Sequence, residues 1–174
     1  MQIKIRDRIC DFLDWLKNQI KESECPRIVS LDPAKEENEY NDDLSNIIDS
    51  YRKLSKEAKA ELQSIFPGSS VKADLFTCLQ KANIENFYSI VKTKVVNKQE
   101  RDIEDLKKLL YLLYVFYCEG TGCKLIEPEL GTDFDEDYCI EKFSNEINGK
   151  ISIVHLFGIL NPDGSVKYKA IVTL

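Results

Sequence analysis

Little in this sequence is basic, disulfide-like or continuously apolar, and each shortage removes a class of function. The 174 residues carry 24 Lys and Arg against 30 Asp and Glu, a formal charge of −6. Unspecific nucleic-acid binding rests on cations that neutralise phosphates, and no stretch here is strongly basic, so no nucleic-acid partner is expected. The longest apolar run, Leu109 to Cys118, falls well short of the ~20 residues that span a bilayer, so no membrane partner is expected. The N-terminal MQIKIRDRIC meets charge at every second or third position and lacks the apolar core of a signal peptide. A cytoplasmic location is the corresponding expectation.

Histidine is almost absent: His155 is the single one, which leaves few options for a His-based triad. There is no GxSxG, glycine-rich phosphate loop or HExxH. Six cysteines (Cys10, Cys25, Cys78, Cys118, Cys123 and Cys139) are scattered without a CxxC pair. A secreted disulfide scaffold is usually shorter and denser in cysteine. Free thiols packed as small hydrophobes are the better account. Cys118, Cys123, Cys139 and His155 hold four donors suited to zinc, but at a spacing that matches no common ligand pattern. A Cys118 or Cys139 nucleophile paired with His155 is a further use of the same side chains. The carboxylates from Asp133 to Asp137 could hold a hard cation or work as an acid/base pair. An EF-hand would need glycine at the sixth position and glutamate at the twelfth, and neither occurs in that frame, which leaves a solvated acidic turn. The expectation is a non-enzyme with no cofactor and no metal.

What is present is apolar periodicity, first helical and then strand-like. Ile9, Leu13, Leu16 and Ile20 predict a first helix over 3–22, ended by Pro26. Residues 24–40 read as a connector with two prolines, Pro26 and Pro33, and only IVSL able to pair or pack. Leu44, Ile47, Ile48, Tyr51, Leu54, Ala58, Leu62 and Ile65 then predict one long helix, capped by Asn41-Asp42-Asp43 and stopped at Phe66-Pro67-Gly68. Ser69 and Ser70 can cap a third helix with Leu75, Leu79, Ala82, Phe87, Ile90 and Val91 on its stripe and Asn83 and Asn86 as interruptions. A fourth follows NKQERD, with Ile103, Leu106, Leu109, Leu110, Leu113 and Tyr117. It is apolar nearly all round from 109 to 118, which implies burial on several sides.

At Glu119-Gly120-Thr121-Gly122 the pattern changes, and Gly120 is placed to end the helix. CKLIEPEL, ISIVHLFGIL and VKYKAIVTL then read as strands. Asn161-Pro162-Asp163-Gly164 is a hairpin signal between the last two, and Asn148-Gly149 a second turn. Val166, Tyr168, Ala170 and Val172 alternate with Lys167, Lys169, Ile171 and Thr173, as a strand with one buried face should. The expected fold class is α+β: an N-terminal helical bundle over 1–120, with three bundle helices after the connector, and a small C-terminal all-β domain over 121–174.

The order GCKLIEPELG (122–131), FDEDY (134–138), GKISIVHLFGIL (149–160) and DGSVKYKAIVTL (163–174) resembles the β-domain of GrpE-type nucleotide exchange factors. That family runs a bundle helix into a GV-x-x-I strand. An FDP-x-x-H segment follows, then G-x-V-x-x-V-x-x-x-GY, and R-x-x-R-P-A-x-V-x-V ends the domain. Gly122 and Ile126 match the first strand, Phe134 and Asp135 the acidic segment. Gly149, Ile151, Val154 and Gly158 match the third element, and Gly164, Ala170 and Val172 the last. The chain departs at Glu136, Cys139 and Ile159, and has Ser165, Tyr168 and Lys169 where the family has two arginines and a proline. The family's long paired stalk helix is also absent. The resemblance implies a co-chaperone that binds the nucleotide-binding domain of a DnaK-type chaperone and promotes ADP release. It also leaves room for a homodimer. The contact surface it implies is Phe157, Ile159, Tyr168 and Lys169, with Lys167 at the rim; packing of Phe157 and Ile159 within the module is the competing use. The alternative is a non-enzymatic helical interaction or regulatory protein whose β-module binds another partner or itself.

Overall fold

The computed structural model describes residues 44–68, 70–99, 102–143 and 148–174. The expected helix over 3–22 and the connector 24–40 lie outside the described residues.

Helix α1 covers residues 44–53 and α2 covers Lys56–Glu61. The single long helix expected here is broken at Leu54 and Ser55. The Ser55 hydroxyl accepts the Ala58 amide at 3.0 Å and donates to Asp102 at 2.8 Å. A serine that satisfies an early amide of a new helix competes with continuation of the old one. The apolar stripe survives the break, since Ile47, Tyr51, Leu54, Ala58, Leu62 and Ile65 are all buried.

Helix α3 spans Val71–Cys78, with the Ser70 hydroxyl accepting the Ala73 amide. It hands over to α4, Lys81–Val96, at Leu79-Gln80 rather than at the asparagines. Asn83 instead donates its side-chain amide to the Thr77 carbonyl at 2.7 Å, which caps the end of α3. Helix α5 runs Ile103–Thr121 and ends at Gly122, whose φ of 74° is left-handed. Gly120, expected to end this helix, lies inside it. No residue from Leu109 to Cys118 is fully exposed.

Among the described residues beyond Gly122 lie six short strands: β1 Lys124–Ile126, β2 Cys139–Glu141, β3 Ile153–Leu156, β4 Gly158–Leu160, β5 Val166–Tyr168 and β6 Ala170–Thr173. They form two three-stranded sheets, ordered β1-β4-β5 and β2-β6-β3. All pairs are antiparallel except β2 with β6. Two runs expected as single strands are each broken once, at Phe157 and at Lys169. The result is one long hairpin that bends and contributes half of itself to each sheet. Gly158 sits at the bend, where a Cβ would lie 2.5 Å from the Tyr168 carbonyl oxygen and 2.6 Å from the Ala170 nitrogen. The turn at its tip closes with Gly164 N–H to Asn161 O at 2.9 Å and Asn161 N–H to Ser165 O at 2.8 Å.

The fold class is α+β. The main core draws on the helices together with Leu156, Phe157, Ile159 and Ile171. A smaller core gathers Cys139, Ile151, Ala170 and Val172, with Phe134 and Val154 packed against it. The strict one-sided alternation expected of the last strand therefore fails at Ile171. Strand β6 is central and covered on both faces, with Ile171 in one core and its two neighbours in the other. Secondary structure changes near residue 120, as the periodicity implies, while the main core runs across that point. The described residues group as one compact unit.

Candidate partner-binding site

The hairpin residues singled out from the sequence occupy three different environments. Ile159 is fully buried and Phe157 is 7% exposed. Both belong to the main core; Ile159 offers no contact surface, and Phe157 only the small part that lines a cleft beside β3. The Phe157 ring meets Tyr88, Tyr111 and Tyr114 edge-on at 5.7–5.8 Å between centroids. Its carbonyl accepts the Tyr88 hydroxyl at 2.7 Å. Edge-to-face clusters of this kind add to the area they bury.

Tyr168 and Lys167 are half-buried and face α4. The Tyr168 ring stacks on Tyr88 with centroids 4.3 Å apart and planes 10° from parallel. Lys167 pairs with Glu85 one helical turn before Tyr88. Each contact ties β5 to α4, so the hairpin is held at a fixed angle to the helices. Burial, followed by the nearby Tyr168 hydroxyl, pushes the Tyr88 phenol up out of the physiological range, and this cluster stays neutral. Only Lys169 is exposed, and its ammonium donates to the Glu136 carbonyl.

The positions where the resembling family carries arginines and proline are also engaged within the chain. The Ser165 amide and hydroxyl both donate to Asp163, at 2.9 and 2.7 Å. These bonds hold the Asp163 carboxyl below its ordinary range and stiffen the turn.

A second feature lies beside β3, where sequence reading offered His155 and Phe157 for other uses but no cleft. An open cleft of about 380 Å³ runs between β3, the exposed face of α5 and the segment after β1. Its walls include Lys107 and Lys108, Tyr111, Pro128, Val154 and His155. Lys107 pairs with Glu104 at 3.0 Å. Burial, then the charge of Glu127, raises the Tyr111 phenol. The His155 Nε2 lies 2.7 Å from the Thr173 hydroxyl, and its ring meets Phe143 at 4.3 Å. Burial first and Lys107 second lower its pKa, so the imidazole is neutral at pH 7. The signals in sequence were weak: helix residues on the polar side of α5 and a strand without charge.

Among the described residues no group of three His, Cys, Asp or Glu is placed to hold a metal ion. Cys118, Cys123, Cys139 and His155 thus do not assemble as a zinc site. Burial, followed by the charges of Cys123 and Glu119, pushes the Cys118 thiol up to about 11. Burial and Asp135 raise that of Cys139. Both are poor thiolates, the reverse of what a nucleophile needs. The acidic segment is a turn in which Asp135 accepts the Asp137 amide at 2.9 Å. No helix among the described residues is long and apolar enough to cross a membrane. No family model, curated protein or solved structure matches the chain.

Proposed function

We propose that this chain is a GrpE-like co-chaperone, a binding protein rather than an enzyme, acting in the cytoplasm on the nucleotide-binding domain of a DnaK-type chaperone. By binding the open form of that domain more tightly than the closed form, it shifts the population toward opening and speeds ADP release. The size of the effect is bounded by the difference between the two affinities. No bond is made or broken, and the factor itself needs no cofactor. The helical part serves as a bundle that presents the strand region, and a homodimer is compatible with the reading.

One observation carries it: the positions that make the resemblance are those with a structural task in the strand region. Gly122 ends α5, Gly158 lies at the bend of the hairpin and Gly164 closes its tip. Ile151, Ala170 and Val172 build the smaller core. This supports a shared strand layout with a redrawn contact surface. Lys169, with the half-exposed Lys167 and Tyr168, remains for contact, while Phe157 and Ile159 act from inside.

The alternative, an interaction protein for another partner, draws on the other half of the same geometry. Ser165, Tyr168 and Lys169 all bond within the chain. An arginine's planar, bidentate donor has no replacement there. Release of labelled ADP from a DnaK-type chaperone of the same organism separates the two. Faster release with excess protein, together with co-purification of the chaperone, supports the co-chaperone. Unchanged release and no recovery of chaperone sink it and leave the alternative.

A further inference from the structure

We propose that Asn148-Gly149 is a self-modification site, where the folded chain converts asparagine to isoaspartate and so loosens its own smaller core with age. The pair is the second turn marked in the sequence, and its chemistry is independent of the partner the chain binds. Asparagine is one of the thermolabile residues, and the reaction needs only water. The Gly149 nitrogen, once its proton is lost to hydroxide, attacks the side-chain carbonyl carbon of Asn148. A nitrogen–carbon bond forms, the bond to the side-chain nitrogen breaks, and ammonia leaves a five-membered succinimide. Water then opens the ring. Addition at the side-chain carbonyl gives aspartate. Addition at the main-chain carbonyl gives isoaspartate, whose backbone runs through the β-carbon and is one carbon longer.

The fold leaves this pair free to react. Both residues are exposed to water. Among the described residues nothing accepts the Gly149 N–H, and nothing holds the Asn148 side chain. A glycine in the second position has no Cβ to obstruct the attack. The chain holds one other sequence prone to the same ring closure, Asp163-Gly164, and there the structure locks both groups. The Gly164 N–H donates to the Asn161 carbonyl at 2.9 Å, and the Asp163 carboxyl accepts both the amide and the hydroxyl of Ser165. Asn161 is protected differently, since Pro162 has no N–H to lose.

What the product does follows from what Gly149 touches. Its carbonyl accepts the Phe134 amide at 2.9 Å, beside the bridge between Asp133 and Lys150. Phe134 in turn packs against the smaller core of Cys139, Ile151, Ala170 and Val172. One more carbon in the main chain just before Gly149 shifts this carbonyl relative to its donor. The Phe134 segment then loses a tie that holds it over the smaller core.

The test incubates the full chain at mildly alkaline pH, both folded and in urea, and digests each sample with trypsin against a zero-time control. Cuts after Lys142 and Lys150 release Asn148 on one peptide, and cuts after Lys150 and Lys167 release Asp163 on another. An isoaspartyl methyltransferase with labelled S-adenosylmethionine counts isoaspartate on each, and fragmentation separates Asn148 from Asn145. An exposed, unbonded turn opens at almost no cost, so the folded chain should react at 148 within about threefold of the unfolded rate. Folding should slow the reaction at 163 by about tenfold or more, because its bonds must open first. Larger slowing at 148, or equal slowing at the two positions, overturns the site. The isoaspartyl form, separated by ion exchange, should unfold at lower urea than the parent. Asn148→Asp, which carries the charge without the extra carbon, should unfold where the parent does. Equal midpoints for all three, or an equal loss in Asn148→Asp, refute the loosening through Gly149.

Discussion

Replacing Gly158 by alanine puts the bend of the long hairpin to its hardest test. The new methyl would lie 2.5 Å from the Tyr168 oxygen and 2.6 Å from the Ala170 nitrogen. Ordinary non-bonded contact begins near about 3.5 Å, so each approach is short by about 1 Å. Both obstructing atoms are backbone, on the segment where β5 gives way to β6, and neither can swing aside like a side-chain end. Relief requires moving β4 off β5 or opening the bend, which loosens Ile159 and Ile171 in the main core. Overpacking of this kind costs about 1–3 kcal/mol, and the rigidity of the obstruction places Gly158→Ala at about 3. For a chain of this size that lowers Tm by roughly 6–12 °C. Urea unfolding followed by far-UV circular dichroism measures it, with the m-value showing whether the native state is otherwise intact. Gly164→Ala is the control: nothing lies within 4 Å, but φ is +83°. It should cost only the left-handed strain, about 1–2 kcal/mol, and less as asparagine. If Gly158→Ala stays within about 0.5 kcal/mol of the parent, or costs no more than Gly164→Ala, the steric argument is wrong.

Tyr51→Phe removes the hydroxyl that donates to Asp74, a carboxylate 1% exposed that keeps the Gly68 amide at 2.8 Å. A loss of about 1.5–3 kcal/mol in urea unfolding is expected. A double-mutant cycle of Glu85→Gln and Lys167→Met should give a coupling of roughly 0.5–1.5 kcal/mol that shrinks in high salt. Zero coupling would leave the Tyr88–Tyr168 stack as the tie between β5 and α4. The folded pKa of His155 is lowered from 6.5, so the unfolded chain takes up the proton first. Stability should therefore fall as pH drops from about 6.5 toward the folded value, then level off for this group. The difference should vanish in His155→Gln, and a midpoint above 6.5 in an NMR titration of the ring would reverse the sign.

Much of the local architecture was legible because local chemistry decides it. Ser70 caps α3, the Pro-Asp-Gly turn closes the hairpin, and the apolar spacing of 103–117 lies on a helix, as does most of that of 44–61, with Leu62 and Ile65 in the turn that follows. Breaks inside elements were harder. Ser55 reads as an ordinary polar residue on a helical stripe until Asp102, far along the chain, comes to meet its hydroxyl. Gly120 and Gly122 are equally good stops by composition; where the first strand must start settles the choice. The five proposed contact residues show the same limit. An alternating strand has two faces, and nothing local says that helices cover the face holding Phe157 and Ile159. The cleft at β3 was not legible at all, since its walls come from three segments distant in sequence.

By itself, then, the sequence determined the kinds of elements, their order and most of their caps and turns, because these rest on contacts within a few residues. Only the tertiary structure decided that the two final runs each split between sheets. The close approach of Gly158 to the opposite strand forms that bend, and no single strand contains it. Tertiary packing also decided which strands lie inside and which at the margin: β6 is enclosed by β2 and β3, and among the described residues β3 pairs along one side only.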